Sequence, residues 1–280
     1  MTQPRRFRRI IGLARTLAVY YGKPFRLRAE KRLYGAELGI GPDMLVFDIG
    51  AHVGNRVRAF TRLGARVVAV EPQTAPRGML VRLYGRTAGV TIVAAACGAQ
   101  PGTAVLHVSE RSPTLSSLKE DWLSRIRPTS RRAGVVFGSA AGAGGSSRWD
   151  GEETVEVTTL DALIAEHGRP DFIKIDVEGF EAEVLGGLSR SVPQLSFEFL
   201  PASRDAALRC IERLEGLAGY EYNYSPGETM RLSHRRWLAA AEMAERLAAA
   251  PPDAPSGDVY AREKRSRRMP QPPLMTEGPR

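Results

Sequence analysis

The feature that most constrains the fold is an alternation of short apolar segments with helical segments through the middle of the chain. The apolar segments are rich in β-branched residues and almost continuously hydrophobic, as expected for strands buried on both faces. This alternation is typical of an α/β fold with a parallel sheet and helices on both sides. The predicted strands are Met44–Asp48, Arg66–Glu71, Val90–Ala95, Asp171–Asp176, Gln194–Leu200, Gly219–Asn223 and Asp258–Arg262. The predicted helices cover residues 54–63, 76–86, 160–167, 178–189 and 203–217.

One region breaks the alternation. Two further strands are predicted at Thr103–Val108 and Thr154–Thr158, and residues 127–152 between them are rich in Gly, Ser, Ala and Arg. A connection of this length and composition predicts a flexible insertion. Residues 264–280 are rich in Pro and Arg and predict a disordered basic tail.

The charge of the chain is concentrated at its ends. The net charge is +9 overall, but residues 1–32 carry +9, residues 261–280 carry +4 and residues 33–260 carry −4. A groove for nucleic acid needs basic residues across the folded body, so no nucleic-acid partner is expected. The methionine at position 1 is followed by an amphipathic basic segment, residues 5–28, which either contacts a membrane surface or packs on the domain formed by residues 33–263.

The compartment follows from cysteine content and apolar length. Two cysteines cannot form a disulfide framework, which favours a reducing compartment. The apolar stretch Ile10–Tyr21 contains Arg15 and is too short to span a bilayer, and no clear cleavage site for a signal peptidase follows it. We expect a cytoplasmic protein, with membrane-peripheral contact through residues 5–28 as an open alternative.

A glycine-containing loop follows the first predicted strand. In Phe47-Asp48-Ile49-Gly50-Ala51-His52-Val53-Gly54-Asn55, the glycines allow close approach of a ligand, and the following helix offers free backbone N–H groups. The pattern differs from the GxGxxG of dinucleotide sites, which disfavours a nicotinamide dehydrogenase. Glu71 ends the second strand, where an acid is placed to accept hydrogen bonds from both hydroxyls of a ribose.

Charged residues surround the end of the fourth strand. Lys174 and Asp176 point to the same side of the strand and form either an ion pair or part of a site. Asp176 or Glu178 is placed to deprotonate a hydroxyl or to bind a hard cation, although no third metal ligand is evident from the sequence. Glu198 lies in an apolar strand, and we predict that it faces the pocket.

These motifs together resemble the FkbM family of S-adenosylmethionine-dependent methyltransferases. The resemblance covers about Met44 to Pro201 and rests on the order of FDIGAHVGN, AVEP, VTTLDALI, DFIKIDVEGFEAEVLGG and FEFLP. It implies a class I methyltransferase fold, a seven-stranded Rossmann-like sheet whose last strand is antiparallel. The residues that it implies for S-adenosylmethionine are Asp48, Gly50, Ala51, His52, Gly54, Asn55, Glu71, Pro72, Ala96 and Cys97.

The resemblance also implies an activity, O-methylation of a sugar, glycan or natural product. We expect Asp176 to act as the base, with Glu178 and Lys174 as catalytic partners and His52 as an alternative base. Glu198, Ser116 and Ser117 are expected on the acceptor side, and no metal is assigned. A nicotinamide-dependent oxidoreductase and a non-catalytic cofactor-binding module recruited to membranes remain as alternative functions.

Overall fold

Ten strands and seven α-helices are present in the computed structural model within the described residues, which are 17, 18, 20–22, 24–108 and 151–264. The strands are β1 (Leu45–Ile49), β2 (Arg66–Val70), β3 (Val90–Val93), β4 (Ala96–Cys97), β5 (Gly102–Val108), β6 (Gly151–Thr158), β7 (Phe172–Ile175), β8 (Gln194–Phe199), β9 (Tyr220–Pro226) and β10 (Gly257–Glu263). The helices are α1 (Pro24–Lys31), α2 (Asn55–Arg62), α3 (Thr74–Tyr84), α4 (Leu160–His167), α5 (Glu181–Gly186), α6 (Arg204–Glu215) and α7 (Ala240–Ala248).

Seven of these strands form one sheet in the order β3-β2-β1-β7-β8-β10-β9. The first five strands in this order, β3, β2, β1, β7 and β8, pair in parallel. Strand β10 runs antiparallel to both of its neighbours, β8 and β9. All seven strands predicted for the alternating pattern are present. The α/β fold class is therefore confirmed, including the antiparallel direction of the last strand.

The two additional predicted strands belong to a separate small sheet. In this sheet β6 lies between β4, which it pairs in parallel, and β5, which it pairs antiparallel. Gly151 and Glu152, the last residues of the predicted insertion, belong to β6 and pair with β5. Strand β6 therefore begins inside the predicted insertion. The rest of the insertion, residues 127–150, lies outside the described residues, as do Ser116, Ser117 and residues 265–280.

The strand alternation gives the large sheet two different faces. On one face, Phe47, Ile173 and Phe197 belong to a core that includes residues of α4, α5 and α6. On the other face, Val46 and Phe172 pack with Phe60, Leu33 and Tyr34. Because side chains alternate along a strand, this second face also carries the polar residues of β1, β7, β8 and β10. These polar residues are Asp48, Lys174, Ser196, Glu198 and Asp258.

Some local structure differs from the sequence predictions. The helix predicted over residues 178–189 is confined to α5, because Glu178 and Gly179 have φ angles of 53° and 91°, which an α-helix does not allow. Helix α7 and the two-residue strand β4 were not predicted. Helix α4 is capped by Thr159, whose hydroxyl accepts a hydrogen bond from the Ala162 backbone N–H at 3.1 Å.

The predicted helix over residues 5–28 lies mostly outside the described residues. Within them, Tyr20 and Tyr21 are helical, Gly22 lies in a bend, and α1 begins at Pro24. α1 continues directly into a π-helical segment, Arg32–Glu37, so the helical structure crosses the boundary predicted at residue 32. In the part of the chain that the structure describes, no helix has the length and apolar character needed to cross a membrane.

Candidate functional site

A cleft opens at the carboxyl edge of the parallel strands. Ligands of open α/β sheets bind at this edge, because the connections that follow the strands diverge there. Among the predicted site residues, the cleft is lined by Gly50, His52, Asn55, Glu71, Pro72, Ala96, Cys97, Lys174, Asp176 and Glu178. Asp48, Ala51, Gly54 and Glu198 lie outside its lining.

The loop after β1 is held tightly against its neighbours. The backbone N–H groups of Gly50 and Ala51 donate to the Val70 carbonyl at 2.9 and 3.0 Å. Gly50 has a φ of 81°, and a Cβ at this position would lie 2.0 Å from the Asp176 carbonyl oxygen. Gly54 has a φ of 83° and begins α2 against Leu80 and Tyr84. The loop therefore needs glycine at both positions, and the resulting cradle fits a ligand that lies against bare backbone.

Glu71 lies inside this cradle with only 2% of its surface exposed. Its two carboxylate oxygens accept hydrogen bonds from the backbone N–H groups of His52 and Gln73, both at 2.8 Å. Burial raises the pKa of Glu71 to about 7, against the opposing effect of these hydrogen bonds. Each oxygen keeps capacity for a second hydrogen bond, as ribose hydroxyls would require.

Two other polar side chains at the loop have no hydrogen-bond partner within the described residues. They are Asp48, through both carboxylate oxygens, and His52, through both ring nitrogens. Buried polar groups normally have partners, so these atoms indicate a polar ligand beside the loop. Burial raises the pKa of Asp48 to about 6 and lowers that of His52 to about 4. A histidine with such a low pKa is a weak base, which disfavours the alternative role predicted for His52.

The part of the cleft lined by β4 is apolar. Ala96 and Cys97 form β4 and line the cleft together with Pro72. Burial raises the pKa of the Cys97 thiol to about 12, so Cys97 stays protonated. Cys97 therefore behaves as a small buried apolar residue, and the surface fits the flat face of a base.

The carboxylates cluster at the end of β7. Lys174, which is 2% exposed, donates to the Asp176 Oδ2 at 2.7 Å, so the ion-pair interpretation of these residues is confirmed. Carboxylate oxygens of Asp176, Glu178 and Glu198 all lie within 4.8 Å of one another. Glu198, which was predicted to face the pocket, lies outside the cleft lining, but it supplies the third carboxylate of this cluster. Burial and the charge of Asp176 raise the pKa values of Glu178 and Glu198 well above their usual range.

Sequence reasoning missed several residues that line the cleft, among them Tyr20, Arg56 and Glu228. Arg56 is 4% exposed and bonds to Glu30 at 2.5 Å and to Glu228 at 3.0 Å. The position of Arg56 next to the apolar residues of α2 was a sequence signal that its side chain is buried. No local sequence pattern indicated that Tyr20 or Glu228 belongs to a site. Tyr20 lies in the helical residues before α1, and Glu228 lies in the loop after β9.

The order of the strands, the single reversed strand and the cleft with its glycine loop and Glu71 define a class I methyltransferase fold. The family model described as "Methyltransferase FkbM domain" matches residues 48–223, more than half of the chain. The protein belongs to the FkbM methyltransferase family, as the sequence motifs predicted.

The solved structures to which the chain is similar are distant in sequence. The precorrin-6y C5,15-methyltransferase of Geobacter metallireducens GS-15 is 12% identical, with a TM-score of 0.43, over 83% of this chain and 88% of that one. An rRNA methylase of Streptococcus thermophilus is 10% identical, with a TM-score of 0.39, over 86% of this chain and 96% of that one. A comparison with curated proteins gave no match.

Proposed function

We propose that this methyltransferase uses S-adenosylmethionine to methylate a hydroxyl group of a sugar, glycan or natural product. The observation that carries the proposal is that one cleft contains both a glycine cradle with an acid, Gly50 and Glu71, and a carboxylate cluster around Asp176. The first part suits a nucleoside with an amino-acid tail, and the second suits an acceptor rich in hydroxyl groups.

The residues present fit the cofactor. Glu71 would accept from the ribose hydroxyls, the apolar surface at Ala96 and Cys97 would contact the adenine, and His52 would offer polar atoms to the methionine part. Asp48 lies behind the cleft lining and would act on the cofactor only through the loop that it precedes. When bound, S-adenosylmethionine would supply a methyl group activated by a sulfonium, so the protein mainly has to bring the acceptor into line.

The acceptor side would supply the base. A hydroxyl is a weak nucleophile until its proton is removed, and Asp176 is the carboxylate whose side chain is 36% exposed toward the cleft. Lys174 holds Asp176 in place through the ion pair. Glu178, whose raised pKa favours the protonated form, would donate a hydrogen bond to an acceptor oxygen. Glu198 lies outside the cleft lining and would act on the acceptor only through its carboxylate neighbours. Three carboxylates that lie this close together could bind Mg²⁺, so the reaction is also to be assayed with and without this ion.

The alternative functions have less support. Membership of a methyltransferase family and the lack of GxGxxG both disfavour a nicotinamide oxidoreductase. A module that binds cofactor without turnover differs from an enzyme only in transfer, and the experiment has to measure both. The charge of −4 over residues 33–260 supports an acceptor other than nucleic acid.

The test combines calorimetry with methyl transfer. Wild-type protein is expected to bind S-adenosylmethionine, and Glu71→Ala to bind it about 10- to 100-fold more weakly, because two hydrogen bonds to a charged acceptor are lost. Glu37→Ala, which removes an acid outside the cleft, is the matched control. Transfer of labelled methyl to a fractionated cell extract identifies the acceptor by the mass of the product. No binding by the wild type would reject the proposal, and binding without transfer would favour the non-catalytic module.

A further inference from the structure

We propose that Tyr20 forms the acceptor-side wall of the cleft and determines which acceptor is methylated. The proposal rests on the proposed function and extends it to a segment that precedes the family match by more than twenty residues. It assigns Tyr20, which precedes α1, to the methyl-transfer site, in addition to any role that residues 5–28 have at a membrane.

The position of Tyr20 supports this role. Tyr20 lines the same cleft as Asp176 and Glu178, and its ring meets the His52 ring edge to face, with centroids 6.4 Å apart and an interplanar angle of 72°. Burial raises the pKa of Tyr20, and the nearby charges of Glu228 and Asp176 raise it further, against the opposing effect of Arg26 and Arg56. Tyr20 therefore lies near the charge of Asp176 as well as against the ring of His52.

The ring is held in place by its surroundings. The Arg26 guanidinium lies 4.8 Å from the centre of the Tyr20 ring. Arg26 pairs in turn with Glu228 at 2.5 Å and with Glu30 at 3.7 Å. Because the Arg26 cation is held by its own ion pairs, its contact with the aromatic face fixes the orientation of the Tyr20 ring. The pairing with Glu228 also joins this segment to the loop after β9.

The next residue anchors the same helical turn to the cofactor loop. The Tyr21 hydroxyl donates to the Val53 carbonyl at 3.0 Å and is 2.9 Å from the Tyr84 hydroxyl. Tyr21 does not line the cleft. The two tyrosines therefore have separable roles, since Tyr21 attaches the segment and Tyr20 presents its ring to the cleft.

The chemistry of this end of the cleft indicates the class of acceptor. An aromatic ring on one side and carboxylates at Asp176 and Glu178 on the other are complementary to a hydroxylated ring. The C–H face of such a ring packs on the tyrosine, and its hydroxyl groups bond with the carboxyl groups. A site of this kind discriminates by the polar groups that a wrong acceptor would leave unpaired.

The experiment uses the full chain and three variants. They are Tyr20→Ala, Tyr20→Phe and, as a matched control, Tyr21→Ala, which truncates a tyrosine on the same turn outside the cleft lining. Calorimetry with S-adenosylhomocysteine measures cofactor affinity, and transfer of labelled methyl to the acceptor fraction of the extract measures activity. Thermal unfolding shows that each variant is folded at the assay temperature.

We expect Tyr20→Ala to keep cofactor affinity within about threefold while losing at least about tenfold in transfer. Tyr20→Phe is expected to keep most of the activity, since it retains the ring, and Tyr21→Ala to lower the melting temperature more than the activity. Wild-type transfer by Tyr20→Ala, an equal loss in Tyr21→Ala, or a loss explained by cofactor affinity alone would each overturn the proposal. Absence of cofactor binding by the wild type would instead reject the proposed function, and this inference with it.

Discussion

Gly50 is the residue at which backbone geometry constrains the site most. Its φ of 81° disfavours any side chain, and a Cβ would lie 2.0 Å from the Asp176 carbonyl oxygen. We expect Gly50→Ala to destabilise the fold by about 2 kcal/mol or more and to abolish binding of S-adenosylhomocysteine, because the loop must shift. Chemical denaturation and calorimetry measure the two effects.

Gly78→Ala is the matched control for this change. Gly78 lies within α3, and a Cβ there meets nothing within 4 Å. The substitution is expected to stabilise the protein by about 0.5–1 kcal/mol, since alanine is the better helix former, without changing cofactor affinity. Equal effects of the two substitutions would show that the cradle at Gly50 is not sterically limiting.

Glu71 gives the cofactor cleft a dependence on pH. Burial raises its pKa to about 7, whereas ribose hydroxyls bond best to the ionised carboxylate. The affinity for S-adenosylhomocysteine is therefore expected to increase about tenfold from pH 6 to pH 8, and to be flat over this range in Glu71→Gln. The stability of the free protein depends on pH in the opposite direction from the affinity. The contribution of Glu71 to stability is complete below its usual pKa of about 4.5 and is lost as the pH rises through about 7.

Calorimetry at pH 6, 7 and 8 in buffers of matched ionic strength measures this dependence. An affinity that is independent of pH in the wild type, or an unchanged dependence in Glu71→Gln, would show that Glu71 does not titrate on binding.

The residues of the site differ in how far the sequence could predict them. Gly50 and Glu71 were predictable because each follows directly from a strand, and a loop of adjacent residues keeps its geometry in many settings. The hydrogen bond from His52 to Glu71 joins two such loops and has no local pattern. Tyr20 and Glu228 reach the cleft only through packing between segments that are remote in sequence.

At the level of elements, α1 is attached to α2 by a buried ion pair. Glu30 and Arg56 are 3% and 4% exposed, and their side chains bond at 2.5 Å. We expect Glu30→Ala to destabilise the protein by about 3 kcal/mol, because Arg56 would remain buried with less compensation. Glu37→Ala removes the partner of the exposed Arg32 and is expected to cost less than about 1 kcal/mol.

Denaturant unfolding of both variants gives the comparison. If Glu30→Ala were no more destabilising than Glu37→Ala, the Arg56 charge would be satisfied by Glu228 alone, and α1 would be held mainly by its apolar contacts.

Elements were predictable where hydrophobic period alone determines them. The parallel strands are buried on both faces and are mostly apolar, and this pattern stands out from the helices between them. Strand β4 is only two residues long, and a period cannot be recognised at that length. The beginning of α5 was predicted too early because the left-handed conformation of Glu178 depends on the turn at the end of β7, for which a non-glycine residue gives no signal.

For the whole molecule, the sequence predicted the class of fold and the family but only part of the charge arrangement. The basic N-terminal residues were counted as a surface property, yet Arg26 is paired with Glu30 and Glu228 beside the cleft. Pairing of this kind reduces the charge that α1 can offer to a membrane. The physical reason is that net charge is a sum over residues, whereas pairing depends on which of them the fold brings together.

The position of β10 makes the sheet depend on the end of the chain. β10 is the last strand in sequence but lies inside the sheet, where it pairs with both β8 and β9. Val259, Tyr260 and Ala261 are almost completely buried. A chain that ends after Lys264 retains every strand that the structure describes, and we expect it to unfold cooperatively with the stability of the full chain.

A chain that ends after Ser256 lacks β10 entirely. It leaves two strand edges unpaired and exposes the apolar surface that three buried side chains covered, at about 1.5–3 kcal/mol for each of the two large ones. Losses of this size approach the total stability of a typical domain, so this shorter chain is expected to be unfolded or aggregated. Circular dichroism and thermal unfolding compare the two chains. A cooperative transition in the shorter chain would mean that β8 and β9 close the sheet without β10, and that the last strand is an addition to a complete fold.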